Sequence, residues 1–167
     1  CGLKEGQTSA DFSKQKLGPI NCKMMAAEFE FGWFIAAVTE LNCLANNFGD
    51  DGLAALLTAV KGSSVRTLCG LKEGQTSADF SEQGLGPMDC KMMAAEFEFS
   101  GFIAAMTELN VLGNRIGEGA DSLIEVFEQN DKIRTLLGIE NGMQMLDLSG
   151  KGLDPGQAKV LVAELNA

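Results

Sequence analysis

Carboxylate and amide side chains recur along this chain at two alternating intervals. The residues are Asp11, Asn42, Asp79, Asn110 and Asp147, and the intervals between them are 31, 37, 31 and 37 positions. If each residue lies at the centre of one strand of a parallel sheet, alternate carboxylates are about 10 Å apart. Oxygen ligands lie within about 2.6 Å of a bound metal ion, so this spacing argues against a shared metal site. It favours a docking stripe for Lys or Arg side chains of a partner protein.

A purely structural role for these residues competes with the docking stripe, because a solvated face can carry Asp side chains that cap turns. Other residues extend the candidate surface: Glu40 and Glu108 at one edge, exposed Leu44 and Leu112 in the next column, and Trp33. Trp33 is the only tryptophan, and Gly101 stands at its place in the second copy of the repeat described below. It either faces a partner or fills an irregular part of the core.

The elements that must position these residues come from a duplication. The thirteen letters CGLKEGQTSADFS occur at Cys1 and again at Cys69, and the match continues to Phe31 and Phe99 with four differences. A third, diverged copy begins near Gly138. The chain therefore reads as one domain over residues 1–167, built as a 68-residue double repeat (1–68, 69–136 and a partial 137–167). Because it starts within a unit, we expect it to be part of a longer chain.

Each long copy contains shorter strand–turn–helix units. TELNVLGNRIG at Thr107 alternates apolar and polar letters and then meets an Asn, which is typical of a short strand and its turn. Prolines and acidic residues then mark helix starts. We predict strands near Ala10, Leu41, Ala78, Leu109 and Leu146, and helices over 19–30, 50–61, 87–98, 118–129 and 155–166.

These units resemble leucine-rich repeats of the ribonuclease-inhibitor type, whose letters run L-x-x-L-x-L-x-x-N-x-L before a helix. Met106, Leu109, Val111, Asn114 and Ile116 fill that frame. The resemblance implies an α/β leucine-rich-repeat solenoid of about five strand–helix units. Its curved parallel sheet would line the concave side and its helices the convex side. The Asp and Asn column would then lie on the concave face.

The amino-acid composition limits the kinds of catalytic and metal-binding site that the chain could form. The chain contains no histidine, and its five cysteines form no Cys-x-x-Cys pair, so neither a usual general base nor a zinc or redox motif is present. We predict that the protein is not an enzyme and binds no cofactor. Cys22, Cys43 and Cys90 are predicted to be small core residues. Reduced thiols favour an intracellular reducing compartment, the cytoplasm or an organelle.

Net charge points to the class of partner. With 13 Lys and Arg against 23 Asp and Glu, the net charge is −10. That charge disfavours nucleic acid and anionic membrane surfaces, and it suits a basic protein partner or simply keeps the chain in solution. No apolar run reaches the roughly 20 residues that a membrane span needs, so no membrane insertion is predicted.

The predicted function is protein binding by the concave face, as a scaffold. One alternative is a structural subunit docked by its edge in a larger complex, with Trp33 buried there. A further alternative is GTPase activation of the Ran type, which the resemblance implies by fold analogy alone.

Overall fold

The structure, a computed structural model, describes residues 2–32, 37–99, 104–140 and 142–167. Short strands alternate with helices as far as Gln129, and one more helix follows near the end. The elements are β1 (Ser9–Asp11), α1 (Pro19–Phe31), β2 (Glu40–Asn42), α2 (Gly49–Lys61), β3 (Ser77–Asp79), α3 (Pro87–Phe99), β4 (Glu108–Asn110), α4 (Gly119–Gln129) and α5 (Pro155–Asn166).

All five predicted helices are confirmed, and each begins and ends within one residue of its predicted range. Pro19, Pro87 and Pro155 are the first residues of their helices, where the missing proline N–H would have had no intrahelical partner. The start of α3 is fixed further by Asp89, whose Oδ2 accepts a hydrogen bond from the Gly86 amide at 2.8 Å. Proline and a short polar side chain therefore set these starts locally.

The strands form two separate parallel pairs. β1 pairs with β2, with Ala10 opposite Leu41, and β3 pairs with β4, with Ala78 opposite Leu109. Among the residues that the structure describes, β2 is not hydrogen-bonded to β3. The prediction of a five-unit solenoid with one curved parallel sheet is therefore wrong. The molecule is α/β, with two two-stranded parallel sheets and five helices in the described ranges.

The residues after α2 explain why β2 and β3 do not pair. Segment 65–70 lies along the second side of β2, where the Leu41 amide donates to the Thr67 carbonyl at 2.9 Å and the Gly70 amide donates to the Leu41 carbonyl at 2.8 Å. Gly70 adopts φ +71°, which turns the chain away before a ladder can form. The segment therefore makes isolated bridges with β2 rather than a third strand, and the same pattern recurs beside β4.

A buried carboxylate closes the outer side of segment 65–70. Glu96 of α3 is fully buried, and its Oε2 accepts hydrogen bonds from the amides of Leu68 at 2.9 Å and Cys69 at 3.1 Å. These amides need a partner inside the protein, and the carboxylate supplies it where a neighbouring strand would otherwise have done so. Glu164 of α5 plays the same part beside β4.

The predicted fifth strand near Leu146 is absent. Residues 142–154 form no strand, and Leu146 is 38% exposed. β1 and β3 are each paired with the strand that follows them in the chain. No strand follows Leu146 in the described residues, so this segment lacks the partner that β1 and β3 have.

The core lies between the strand segments and the helices. The residues that fill the repeat frame in the second copy, and those at the matching positions of the first copy, are buried there: Met106, Leu109, Val111, Asn114 and Ile116, and Val38, Leu41, Cys43, Asn46 and Phe48. Asn114 has a structural role in the turn, since its Oδ1 accepts from the Leu85 amide at 3.0 Å and its Nδ2 donates to the Phe80 carbonyl at 2.8 Å. The apolar letters thus face inward as predicted.

Candidate protein-binding surfaces

The predicted column of Asp and Asn residues is interrupted. Asp11 lies opposite Asn42, and Asp79 lies opposite Asn110, in the two strand pairs. The next neighbour of Asn42 is Gly70 rather than Asp79, since a Cβ added to Gly70 would lie 3.1 Å from the Asn42 Cβ. A continuous ladder with carboxylates two strand steps apart is therefore not formed. We call the surface that carries these residues the strand face.

Each Asp of the strand face has a structural task. One carboxylate oxygen accepts a hydrogen bond from the amide two residues later, at 2.9 Å, in the pairs Asp11–Ser13, Asp79–Ser81 and Asp147–Ser149. Bonds from the serine hydroxyl and amide hold the pKa of each Asp below its ordinary value. These exposed carboxylates are therefore ionised at neutral pH while they also stabilise turns.

The edge of the strand face is of mixed charge. Glu40 is half-buried and Glu108 is exposed. Arg134 and Glu108 line the same depression, of about 590 Å³, beside β4. An exposed arginine beside Glu108 offsets the negative edge that was expected from the two glutamates.

The leucine column was predicted wrongly. Leu44 is only 2% exposed, and Leu112 is partly buried against the core. Leu44 packs in the hydrophobic core, and its backbone is held there by Asn46, which donates to the Cys43 and Leu44 carbonyls. Leu44 therefore cannot contact a partner in this conformation. Trp33 lies outside the described residues.

Sequence reasoning missed the buried carboxylates. Glu164 accepts from the amides of Leu136 and Leu137, the latter at 2.7 Å, and its Oε2 accepts from the Thr135 hydroxyl at 3.0 Å. Burial raises the pKa of both Glu96 and Glu164. A signal was available, because VRTLCG at Val65 and IRTLLG at Ile133 also repeat at the 68-residue interval.

A groove of about 1170 Å³ is lined by residues of both α4 and α5, and α5 contributes Pro155, Ala158 and Val162. Val162 is 58% exposed and Leu165 is 70% exposed. Met143, Met145 and Leu146 are also exposed, in the segment that precedes α5. We refer to these seven residues together as the C-terminal edge.

A smaller apolar surface lies at the other end, on the outer side of α1. Ile20, Met24 and Phe31 are exposed there, and Phe31 is 80% exposed. We call this surface the N-terminal edge. Each edge thus leaves several large apolar side chains in water, which is typical of an interaction surface rather than of a scattered surface residue.

Cys22, Cys43, Cys69 and Cys90 are buried and free, and burial raises the pKa of Cys22 and Cys90 to about 12. A protonated buried thiol is a poor nucleophile. Within the described ranges, no cluster of three His, Cys, Asp or Glu residues could hold a metal ion. Nor is any helix there long and apolar enough to cross a membrane.

Comparison with known proteins finds no family model and no curated protein that matches this chain.

Proposed function

We propose that this protein is a protein-interaction module that joins a larger assembly through its C-terminal edge. The observation that carries the proposal is the exposure of Val162 and Leu165 on α5, together with the exposure of Met145 in the segment before α5. Burying such side chains against a partner contributes about 1.5–3 kcal/mol each. The sequence predicted, as an alternative, docking by an edge at which Trp33 is buried. The present proposal is a different one, because it rests on the exposed side chains of α5, which favour docking there over binding by the strand face.

The strand face is the second candidate. Asp11 and Asp79 are exposed, and their lowered pKa keeps them ionised, which supports steering of a basic partner. The column of Asp and Asn residues is interrupted, and Arg134 lies near its edge. Both features weaken the negative potential that a docking stripe would need. We also propose that the chain is related to leucine-rich repeats of the ribonuclease-inhibitor type. The burial of the residues that fill the repeat frame supports this relationship. Activation of a GTPase remains a prediction that stimulated GTP hydrolysis would test.

The test uses three variants of the full chain, each tagged and used to purify partners from the native source. The edge variant is Val162→Gln with Leu165→Gln, and the matched control is Ile20→Gln with Met24→Gln at the N-terminal edge. The face variant replaces Asp11, Asp79 and Asp147 by Asn, which keeps the oxygen that accepts each turn hydrogen bond. All seven apolar-to-polar and acid-to-amide sites are exposed, so folding should be retained.

A protein that co-purifies with wild type, the face variant and the control, but not with the edge variant, would support the proposal. If the protein fails to co-purify only with the face variant, binding would be assigned to the strand face. Retention by all variants, or loss only in the N-terminal control, would contradict docking at the C-terminal edge.

A further inference from the structure

The junction between the first two copies lacks the strand pairing that is present within each copy. Within the copies, β1 pairs with β2 and β3 pairs with β4. Segment 65–70 lies along the second side of β2, and among the described residues it makes no backbone hydrogen bond to β3. Its Leu68 and Cys69 amides donate instead to one carboxylate oxygen of Glu96, on α3. Hydrogen bonding across the junction therefore depends on side chains of α3.

A second carboxylate of α3, that of Asp89, also reaches across the junction. Its Oδ1 accepts a hydrogen bond from the Ala45 amide of the first copy at 2.7 Å, and its Oδ2 accepts from the Gly86 amide at 2.8 Å. Burial raises the pKa of Asp89, and these two hydrogen bonds offset part of the rise. Both oxygens of this buried side chain therefore have a partner.

Glu96 is satisfied on one oxygen only. It is fully buried, and while its Oε2 accepts from two amides, its Oε1 has no hydrogen-bond partner among the described residues. A buried ionised carboxylate with an unpartnered oxygen is far more costly than the protonated acid. Burial is accordingly the largest influence on the pKa of Glu96 and raises it, and no charged group is among the causes of that shift.

The titratable groups that face this site do not compensate a negative charge on Glu96. The Cys43 thiol of β2 and the Cys69 thiol of segment 65–70 both lie within its field. Asp89, on the same helix as Glu96, faces the same Cys69 thiol. None of these three groups can carry a positive charge, so none stabilises the ionised form as a Lys or Arg would. Oε1 can gain a partner only from water, which requires α3 to move away from segment 65–70.

Glu164 shows the same repeat position with both oxygens satisfied. Its Oε2 accepts from the Thr135 hydroxyl at 3.0 Å, and its Oε1 accepts from the Leu136 and Leu137 amides. It is also half-buried, so water lies closer to it than to Glu96. The unpartnered oxygen is therefore a property of the first junction and not of the repeat.

We propose that Glu96 is a pH-dependent switch that opens and closes the junction between the first and second copies. With a proton on Glu96, α3 stays packed against segment 65–70. When the proton passes to solvent, an open form is favoured, in which α3 moves away from residues 68 and 69 and water hydrates the carboxylate. The strand ladders within each copy do not involve Glu96 and stay intact. The switch is independent of which surface binds a partner.

Hydrogen exchange of the full chain at several pH values, from pH 4.5 to about pH 8, tests the switch. Protection factors are compared, because intrinsic exchange itself becomes faster as the pH rises. We expect the protection of the Leu68 and Cys69 amides to fall at least about threefold over this range. The Phe12 and Phe80 amides, which bond within the two copies, should keep their protection. An equal fall at all four amides would indicate unfolding of the whole chain and would overturn the inference, as would constant protection at Leu68.

Glu96→Gln is the test variant, because glutamine keeps an oxygen that accepts from both amides and cannot ionise. The protection of the Leu68 and Cys69 amides should then stay constant within about twofold over the same pH range. Glu98→Gln is the matched control, since Glu98 is exposed on the same helix, and it should behave as wild type. A fall as large in Glu96→Gln as in wild type would reject the switch.

A measurement on wild type alone keeps the inference testable if the Glu96→Gln variant does not fold. The carboxyl carbon of Glu96 is followed by NMR over the same pH range. By linkage, the fall in Leu68 protection should begin above pH 4.5, the ordinary pKa, and level off at the pH where Glu96 itself titrates. A fall that continues well beyond the titration of Glu96, or that ends before it begins, would show that another group opens the junction.

Discussion

Glu96 Oε2 lies 2.9 Å from the amide nitrogen of Leu68, and both residues are fully buried. The other carboxylate oxygen, Oε1, has no hydrogen-bond partner among the described residues. Burying an ionised carboxylate is costly unless its oxygens are satisfied. Burial accordingly raises the pKa of Glu96 above its ordinary value of 4.5.

Replacing Glu96 should change how stability depends on pH. Since the folded-state pKa is raised, the folded protein keeps a proton on Glu96 at pH values where the unfolded chain has lost it. Its contribution to the free energy of unfolding is therefore present below pH 4.5 and falls as the pH rises through the raised pKa. Glu96→Gln should give a flatter decline above pH 4.5 in urea unfolding measured at several pH values.

Asp11→Asn is the control for that experiment. The pKa of Asp11 is lowered from 3.8, so its contribution is lost only as the pH falls below that value. The slope above pH 4.5 should match wild type. An equally steep decline in Glu96→Gln and wild type would contradict the role assigned to Glu96.

Two leucines at equivalent frame positions should differ in their contribution to stability. Leu109 is 1% exposed and Leu146 is 38% exposed. Leu109→Ala should lower the free energy of unfolding by about 2–5 kcal/mol, since it leaves a cavity in the core. Leu146→Ala should lower the free energy of unfolding by less than about 1 kcal/mol. Equal shifts in urea unfolding would mean that residues 144–148 are buried in solution.

Gly119 should not tolerate a side chain. A Cβ there would lie 2.6 Å from the Pro87 carbonyl oxygen, so α3 and α4 would have to separate. Gly119→Ala should lower the free energy of unfolding by about 1–3 kcal/mol, measured by thermal or urea unfolding. Gly62→Ala is the matched control, because no atom lies within 4 Å of a Cβ at that position. A stability loss as large in the control would point to backbone conformation rather than to helix packing.

Four thiols should resist alkylation until the protein unfolds. Cys22, Cys43, Cys69 and Cys90 are buried, and burial raises the pKa of each. Iodoacetamide should therefore label them only in denaturant, which peptide mapping by mass spectrometry would detect. Rapid labelling at Cys43 without denaturant would indicate that the core opens locally.

Binding through the C-terminal edge should depend little on salt. Once the partner is identified, association rates of wild type and the Asp11, Asp79, Asp147→Asn variant should agree within about twofold, because rim charges mainly affect the association rate. A strong salt dependence that disappears in the variant would instead assign the partner to the strand face. Stopped-flow measurements at two salt concentrations would distinguish these outcomes.

The helices could be predicted from the sequence because their starts are set locally. Pro19, Pro87 and Pro155 mark the starts of α1, α3 and α5, and acidic residues lie at the starts of α2 and α4. The inward positions of Leu41 and Leu109 were also predictable, because the alternation of apolar and polar residues along a strand indicates which side chains face the core. These features depend on neighbours in the chain.

The sheet could not be predicted in the same way. Whether β2 pairs with β3 depends on segment 65–70 and on Glu96, which contact each other only in the folded protein. The residues around Leu146 match the leucine-rich-repeat pattern better than those around Ala10. Ala10 nevertheless lies opposite a partner strand, whereas Leu146 has none among the described residues. Strand formation depended on a neighbour rather than on local propensity, and the burial of Leu44 depended on the turn that Asn46 closes.

The buried carboxylates have a consequence for how such a chain can change during evolution. Because Glu96, on the first helix of the second copy, accepts hydrogen bonds from the Leu68 and Cys69 amides at the junction of the two copies, adjacent copies are joined without a continuous strand ladder. Unequal recombination can therefore insert or remove a whole 68-residue block while every backbone hydrogen bond inside the remaining blocks is kept. The thirteen identical letters at Cys1 and Cys69 are what a recent event of this kind would leave. We would expect alleles of this gene to differ in length by multiples of one block.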